Sequence, residues 1–162
     1  MAIPRDSVEM SKLHPAYVAG FIDGEWCIRI TKEYPKKRSV HYKLEVIVVN
    51  NDQDILVKLQ QQYGGNVRPH VFKNRVSYYW CIYGHPATAL LKEIRSYLEV
   101  KAEQADVGLE FQRMKTLGQG GPGKWLSSDE LALRDGYYQR IKELKSTKPV
   151  TTTKGHLTEM MV

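Results

Sequence analysis

The sequence predicts an α+β fold, with one antiparallel four-stranded sheet covered on its apolar face by helices. Three observations lead there. Helical and period-two patterns succeed one another in the order α-β-β-α-β-β-α-α-α. The strand-like runs come in two pairs, each joined by a short basic turn, so each pair reads as a hairpin. In the first pair charged and apolar residues alternate, giving one face for a core and one face for water or a partner. A chain of 162 residues suits one domain, read as residues 1–146. Its core covers about 13–115 and a last helix about 127–145, and the polar tail 147–162 is expected to be loosely held.

The first helix is expected over Pro15 to Glu25, because proline is tolerated in a first helical turn. CIRITKEY follows as a strand, with Arg29, Thr31 and Glu33 on one side. PKKRS makes the turn, and VHYKLEVIVVN returns with His41, Lys43 and Glu45 opposite Val40, Tyr42, Leu44 and Val46. NDQDILVKLQQQYGG is a helix with an Asx cap, an apolar stripe of Ile55, Leu56, Leu59 and Tyr63, and a Gly64-Gly65 stop. NVRPHVF and RVSYYWCIYG form the second hairpin, turning at KNR. HPATALLKEIRSYL reads as a helix with Leu90, Leu91, Ile94 and Leu98 inside, and VKAEQADVGLEFQRMK as another. The glycine-rich LGQGGPGKW is a flexible connection. Ser127 and Glu130 stand at capping-box spacing before the last helix.

Composition narrows the function classes. No apolar run reaches the roughly 18 residues of a membrane span, and MAIPRDSVEMSK is no signal peptide, so an intracellular protein is expected, in a bacterial cytoplasm, an organelle or a nucleus. Cys27 and Cys81 have no partners at metal-ligand spacing and read as small apolar residues. LGQGGPGKW lacks the lysine-serine ending of a phosphate-binding loop, and His14, His85 and His156 form no cluster. The net charge of +6 is concentrated: Arg29 to Lys43 holds six Lys or Arg against Glu33 alone. Arg68, Lys73 and Arg75 lie in a second segment without acid. Two basic hairpins on one sheet are the footprint of a nucleic-acid surface.

The opening helix carries its own pattern. Ala16, Gly20 and Gly24 recur every four residues and form a ridge of small side chains, which lets a second helix approach closely. No other segment offers a matching ridge, so the economical partner is the same helix of a second copy about a two-fold axis. Such packing juxtaposes two helix C-termini, each bearing Asp23 and Glu25, and a divalent cation resolves the concentration of negative charge. An ordinary amphipathic helix, with Asp23 capping the turn that leaves it, fits the same residues.

VAGFIDGEW resembles the signature of the LAGLIDADG homing endonucleases, with Phe21 and Glu25 as conservative variants. The element order agrees with that family's αββαββα core. VVNNDQDILVKLQQQYGGNV and LLKEIRSYLEVKAEQADVGLEF look like its second helix and its later helices. The resemblance implies a saddle-shaped sheet as the DNA-binding face, with extra C-terminal helices. It implies a site-specific endonuclease making a metal-dependent double-strand cut in a long, roughly palindromic DNA site, in the setting of intron homing. The cofactor would be Mg²⁺, with Mn²⁺ or Ca²⁺ able to substitute for binding. Glu25 and the carbonyl of Gly24 would hold the metal; Asn50, or Asn51, would order water; Lys101 would support charge in the site. One motif copy implies a homodimer joined through Ala16, Gly20, Phe21, Asp23 and Gly24. No membrane or small-molecule substrate is implied. A non-cleaving DNA-binding regulator or an RNA-splicing maturase on the same scaffold is the alternative, and Glu25 and Lys101 favour the nuclease. The sequence departs from the motif at Trp26, where the family has glycine. This tryptophan could pack under the strand, touch the DNA backbone or crowd the site.

Alternation then names the DNA face. Arg29, Thr31, Glu33, His41, Lys43, Glu45, Arg68, His70 and Phe72 are expected there. Lys36, Lys37 and Arg38 in one turn, with Lys73 and Arg75 at the other, are expected at phosphates. The fourth strand is ambiguous, since Val76, Tyr78 and Trp80 oppose Ser77, Tyr79 and Cys81. Tyr78 and Trp80 are taken as the DNA-facing set.

Overall fold

The elements form where their end signals stand. A computed structural model describes residues 12–118 and 125–146. The order is α1 (Pro15–Glu25), β1 (Trp26–Glu33), β2 (His41–Asn50), α2 (Gln53–Tyr63), β3 (Asn66–Phe72), β4 (Arg75–Tyr83), α3 (His85–Ile94), α4 (Ala102–Leu117) and α5 (Ser128–Ser146). Most of the connection predicted for LGQGGPGKW (119–124) and all of the predicted tail lie outside the described residues. Among the described residues no helix is long and apolar enough to cross a membrane.

His14 opens α1, its Nδ1 accepting from the Ala16 amide at 3.2 Å. Asp52 opens α2 by accepting from the Asp54 amide at 2.9 Å. The glycine pair closes α2 with φ of 82° at Gly64 and 86° at Gly65. Gly65 is required twice over, because a Cβ there would lie 2.5 Å from the Cys81 carbonyl oxygen. The third predicted helix ends earlier than its periodicity suggests. After Ile94 the chain tightens into a single 3-10 turn, Arg95–Tyr97, with Leu98 still buried. Only half of the capping box at α5 forms. Ser127 Oγ accepts from the Glu130 amide at 3.2 Å, while the Glu130 carboxylate turns to the buried guanidinium of Arg134 at 2.7 Å.

The two hairpins join through their second strands, giving the sheet order β1-β2-β4-β3 with every pair antiparallel. One face is the core: Trp26, Ile28 and Ile30, then Tyr42, Leu44, Val46 and Val48, then Trp80 and Ile82, packed on Val18, Ala19 and Ile22 of α1 and on α2, α3 and α4. Gly108 lets α4 approach the sheet, since a Cβ there would stand 2.7 Å from Leu44 Cδ1. α5 packs on α4 and on the β1 edge, where Asp135 accepts from Lys32 Nζ at 2.6 Å and Tyr42 Oη at 2.8 Å. Lys32 therefore belongs to the core side, although its charge was counted in the basic hairpin. The other face of the sheet lies outside this core, and among the described residues α5 reaches it only at the β1 edge, where Lys145 Nζ donates to Cys27 Sγ at 2.9 Å; that face defines the site.

Candidate active site and nucleic-acid interface

The end of α1 is built by an exchange of caps with α4. Asp23 Oδ2 accepts from the amides of Glu99 and Val100 (2.8 and 3.2 Å) and Oδ1 from the amide of Lys101 (2.9 Å). Those amides lead into α4, whose N-cap residue, Lys101, makes no side-chain capping bond to the helix. In return, Lys101 Nζ donates to the carbonyls of Ile22 at 2.8 Å and Asp23 at 2.6 Å. An ammonium thus sits on the negative end of the α1 dipole, and a carboxylate on the positive end of α4. Burial alone would raise the Asp23 pKa, but the three backbone N–H groups and then the Lys101 charge hold it below its ordinary value.

Lys101 is 9% exposed and its charge is engaged with the carbonyls just ahead of Gly24, so it bears on the site through α1. Asp23 is committed to its own chain. Ala16, Gly20 and Gly24 lie together along the exposed side of α1, and a Cβ at either glycine would meet nothing within 4 Å. Tyr17, which pattern reasoning passed over, stands beside that ridge, 52% exposed and stacked on Phe21 at 6.2 Å. Its signal was the i, i+4 aromatic spacing with Phe21. The ridge ends at Glu25, which is exposed and makes no hydrogen bond or ion pair among the described residues. β1 begins opposite Val48, two residues before Asn50, so the end of β2 runs back toward the end of α1. Asn50 Oδ1 accepts from the Asp52 amide at 2.8 Å and shapes the entry to α2.

Trp26 packs under the strand. It is 5% exposed, edge-on to Phe21 at 5.6 Å and tilted against Trp80 at 5.4 Å, with its indole N–H lacking a partner among the described residues. It neither crowds Glu25 nor reaches the open face.

The open face gathers Arg29, Thr31 and Glu33 of β1 with His41, Lys43 and Glu45 of β2, as the register requires. Arg68 and His70 of β3 stand opposite Tyr79 and Ser77, and Phe72 opposite Arg75. Lys36, Lys37 and Arg38 are exposed in the first turn; Lys73 forms the second with φ 52°. Tyr78 and Trp80 are corrections. Trp80 is fully buried, its Nε1 donating to the Gly64 carbonyl at 2.8 Å, and Tyr78 packs on the same core. The open-face residues of β4 are Arg75, Ser77, Tyr79, Cys81 and Tyr83. Ile82 was the missed signal: it continues the Tyr78-Trp80 alternation and must be inside.

Several charges on this face are already paired. Arg29 Nε donates to Glu45 at 2.7 Å, and Lys43 Nζ to Glu33 at 3.1 Å while lying 4.8 Å from the Tyr83 ring centre. Partial desolvation, then the Lys115 ammonium, lowers the His41 pKa from its ordinary value. Among the described residues no three His, Cys, Asp or Glu side chains converge in a way that could hold a metal ion. At the end of α1 the Glu25 carboxylate is a hard oxygen donor left unpaired among the described residues, whereas the carbonyls of Ile22 and Asp23 already accept from Lys101.

No family model matches the sequence. No curated protein matches it either. Solved structures do match its fold. The homing endonuclease I-CvuI, crystallised with DNA in the presence of Mg in one case and Ca in another, superposes with TM-scores of 0.69 and 0.68. It is 20% identical, over 85% of this chain and 85% of that one. The archaeal intron-encoded homing endonuclease I-Vdi141I, complexed with DNA, gives a TM-score of 0.67 at 13% identity, covering 80% of this chain and 82% of that chain. The LAGLIDADG meganuclease I-AabMI, bound to uncleaved DNA, gives 0.59 at 18% identity, with 78% of this chain matching 44% of that chain. An open four-stranded antiparallel sheet, the helix that enters it with FIDGE, and these superpositions agree: the chain has the LAGLIDADG homing endonuclease fold.

Proposed function

We propose that the chain is a site-specific DNA endonuclease that works as a homodimer, two copies of α1 packing about a two-fold axis. One observation carries this reading: the exposed side of α1 has two glycines facing open space and ends at an unpaired Glu25. Within one chain alanine would serve better at Gly20 by about 1 kcal/mol, so the missing side chain answers to something outside the chain. A second copy of the same ridge fits, and it sets two Glu25 carboxylates side by side at two negative helix ends. That arrangement favours divalent cations held by Glu25 and the Gly24 carbonyl of each copy together with phosphate oxygens. When bound, Mg²⁺ supplies Lewis-acid polarisation of the phosphodiester and neutralises developing charge.

The chain's own residues do the remaining work. Lys101 and Asp23 fix the end of α1 against α4, so that Glu25 projects from a rigid terminus. Asn50 offers an amide for ordering water near it. The open sheet face of each copy reads a half-site of double-stranded DNA in the major groove, and Lys36, Lys37 and Arg38 hold phosphates. With one cut per Glu25, both strands of a long, roughly palindromic site are broken. The setting carried over from the intron-encoded neighbour is homing of an intervening sequence.

The test compares wild type with Glu25→Gln on a tightly bound DNA site in Mg²⁺. Wild type should cut both strands and lose this activity on chelation, while the variant binds as tightly and cuts at least 100-fold more slowly, on the order of a catalytic group's contribution. Tight binding of DNA without metal-dependent cleavage by wild type would instead identify a regulator, and preference for structured RNA a maturase.

A further inference from the structure

On the open face Glu45 is out of character. It stands opposite Arg29 on one side and Tyr83 on the other, on the sheet surface turned away from the core, yet it is 7% exposed. Both carboxylate oxygens are engaged: Oε2 accepts from Arg29 Nε at 2.7 Å, and Oε1 from the Cys81 thiol at 2.9 Å. Burial, then this bond, pushes the Cys81 thiol up to about 12, so it stays protonated and keeps donating. Lys43, the neighbouring cation, is held by Glu33 and Tyr83. Glu45 is therefore shielded from a groove and cannot read a base itself. It is a fixed buried acceptor, aimed by Cys81 at one atom of Arg29.

A guanidinium bonded through Nε has its plane set, and its two terminal nitrogens form the fork at the far edge. The Arg29 side chain remains 43% exposed. Two parallel N–H donors match guanine O6 and N7 in the major groove, and lysine cannot supply that geometry. We infer that Glu45 is a positioning residue that presets Arg29 to read a guanine, which makes the Cys81–Glu45–Arg29 chain a specificity element of each half-site. This rests on the reading of the open face as the DNA-binding face.

The experiment selects sites from a randomised double-stranded DNA library with the full-length chain in Ca²⁺. It compares wild type with Arg29→Lys, Glu45→Gln and Cys81→Ser. Wild type should recover a motif with guanine at a position that Arg29→Lys relaxes by roughly 10-fold or more. Glu45→Gln should relax the same position and leave the rest of the motif intact, which a merely stabilising ion pair would not do. Cys81→Ser keeps a donor to Glu45 and should leave the motif unchanged. An unaltered guanine preference in Glu45→Gln, or a base other than guanine at the position that Arg29→Lys relaxes, overturns the inference while the DNA reading stands. If wild type recovers no motif, the DNA reading fails and the inference with it. Should Glu45→Gln not fold, Glu45→Asp replaces it, keeping the charge but withdrawing the carboxylate by one methylene. Relaxed guanine preference there supports the inference, and an unchanged preference overturns it.

Discussion

Asp23 illustrates why the motif carries two acids with different work. Its carboxylate closes three amides ahead of α4, while Glu25, two residues on, faces water. Replacing a capping carboxylate by alanine removes about 1–2 kcal/mol, and Asp23→Ala should lose that much because it orphans a helix start that has no other side-chain cap. The pH dependence has a definite sign. A carboxyl whose folded pKa lies below its unfolded value stabilises the fold above the unfolded value and loses that contribution as pH falls through the folded one. Asp23 is lowered from 3.8, so its share is complete at neutral pH and disappears in acid below that value. Urea melts of wild type and Asp23→Asn from neutral pH down to strong acid should therefore converge as pH falls. A constant gap would show that the charge of Asp23 does not contribute. Lys101 makes the reverse bond, and Trp26 resolves the departure from the motif at the same scale. As an aromatic laid between Phe21 and Trp80, it fills space that a glycine would leave to neighbouring side chains.

Gly20 of α1 and Gly108 of α4 both stand mid-helix, and the same substitution is expected to act oppositely on them. Alanine is worth about 1 kcal/mol over glycine in a helix interior. At Gly20 the new methyl meets nothing within 4 Å, so Gly20→Ala should stabilise the separated chain by roughly that amount. At Gly108 it would lie 2.7 Å from Leu44 Cδ1 in a fully buried setting, and overpacking of about 1–3 kcal/mol outweighs the propensity gain. Chemical denaturation at low protein concentration should thus rank Gly20→Ala above wild type and Gly108→Ala below it. The same Gly20→Ala chain should associate more weakly, read as a higher concentration for half-dimerisation in sedimentation. Unchanged association would contradict the ridge as a seam. Elements of this kind were largely legible in the sequence, because α1, α2 and the first hairpin are bounded by local signals: Pro15, Asp52, Gly64-Gly65 and strict alternation. What was not legible depends on contacts far apart in the chain. The joining of β2 to β4, the exchange between Asp23 and Lys101, and the burial of Glu45 between Arg29 and Cys81 all require a register that no short window contains. β4 misled for a related reason, because tyrosines occupy both of its faces and only Ile82 breaks the tie.

At the scale of the whole molecule, the net charge of +6 overstates what the open face offers to DNA. Lys32 is tied to Asp135 on the core side, and Arg29 and Lys43 are paired with Glu45 and Glu33. The exposed turn holding Lys36, Lys37 and Arg38 is left as a concentrated positive site that can neutralise phosphates. Each phosphate contact releases condensed counterions and contributes about 0.9 to the slope of log K against log salt. The proposed homodimer would place every contact twice on one DNA. Lys37→Ala should therefore lower the slope by roughly 1.8, twice the single-contact value, while leaving base preference intact, since phosphate contacts position without specifying. Fluorescence anisotropy on a labelled site across a KCl series measures the slope directly. A decrease near 0.9 would mean that one copy of the chain engages the site, against the dimer. No decrease would mean that the first turn does not touch the backbone, so that phosphate recognition by this hairpin would have to be abandoned.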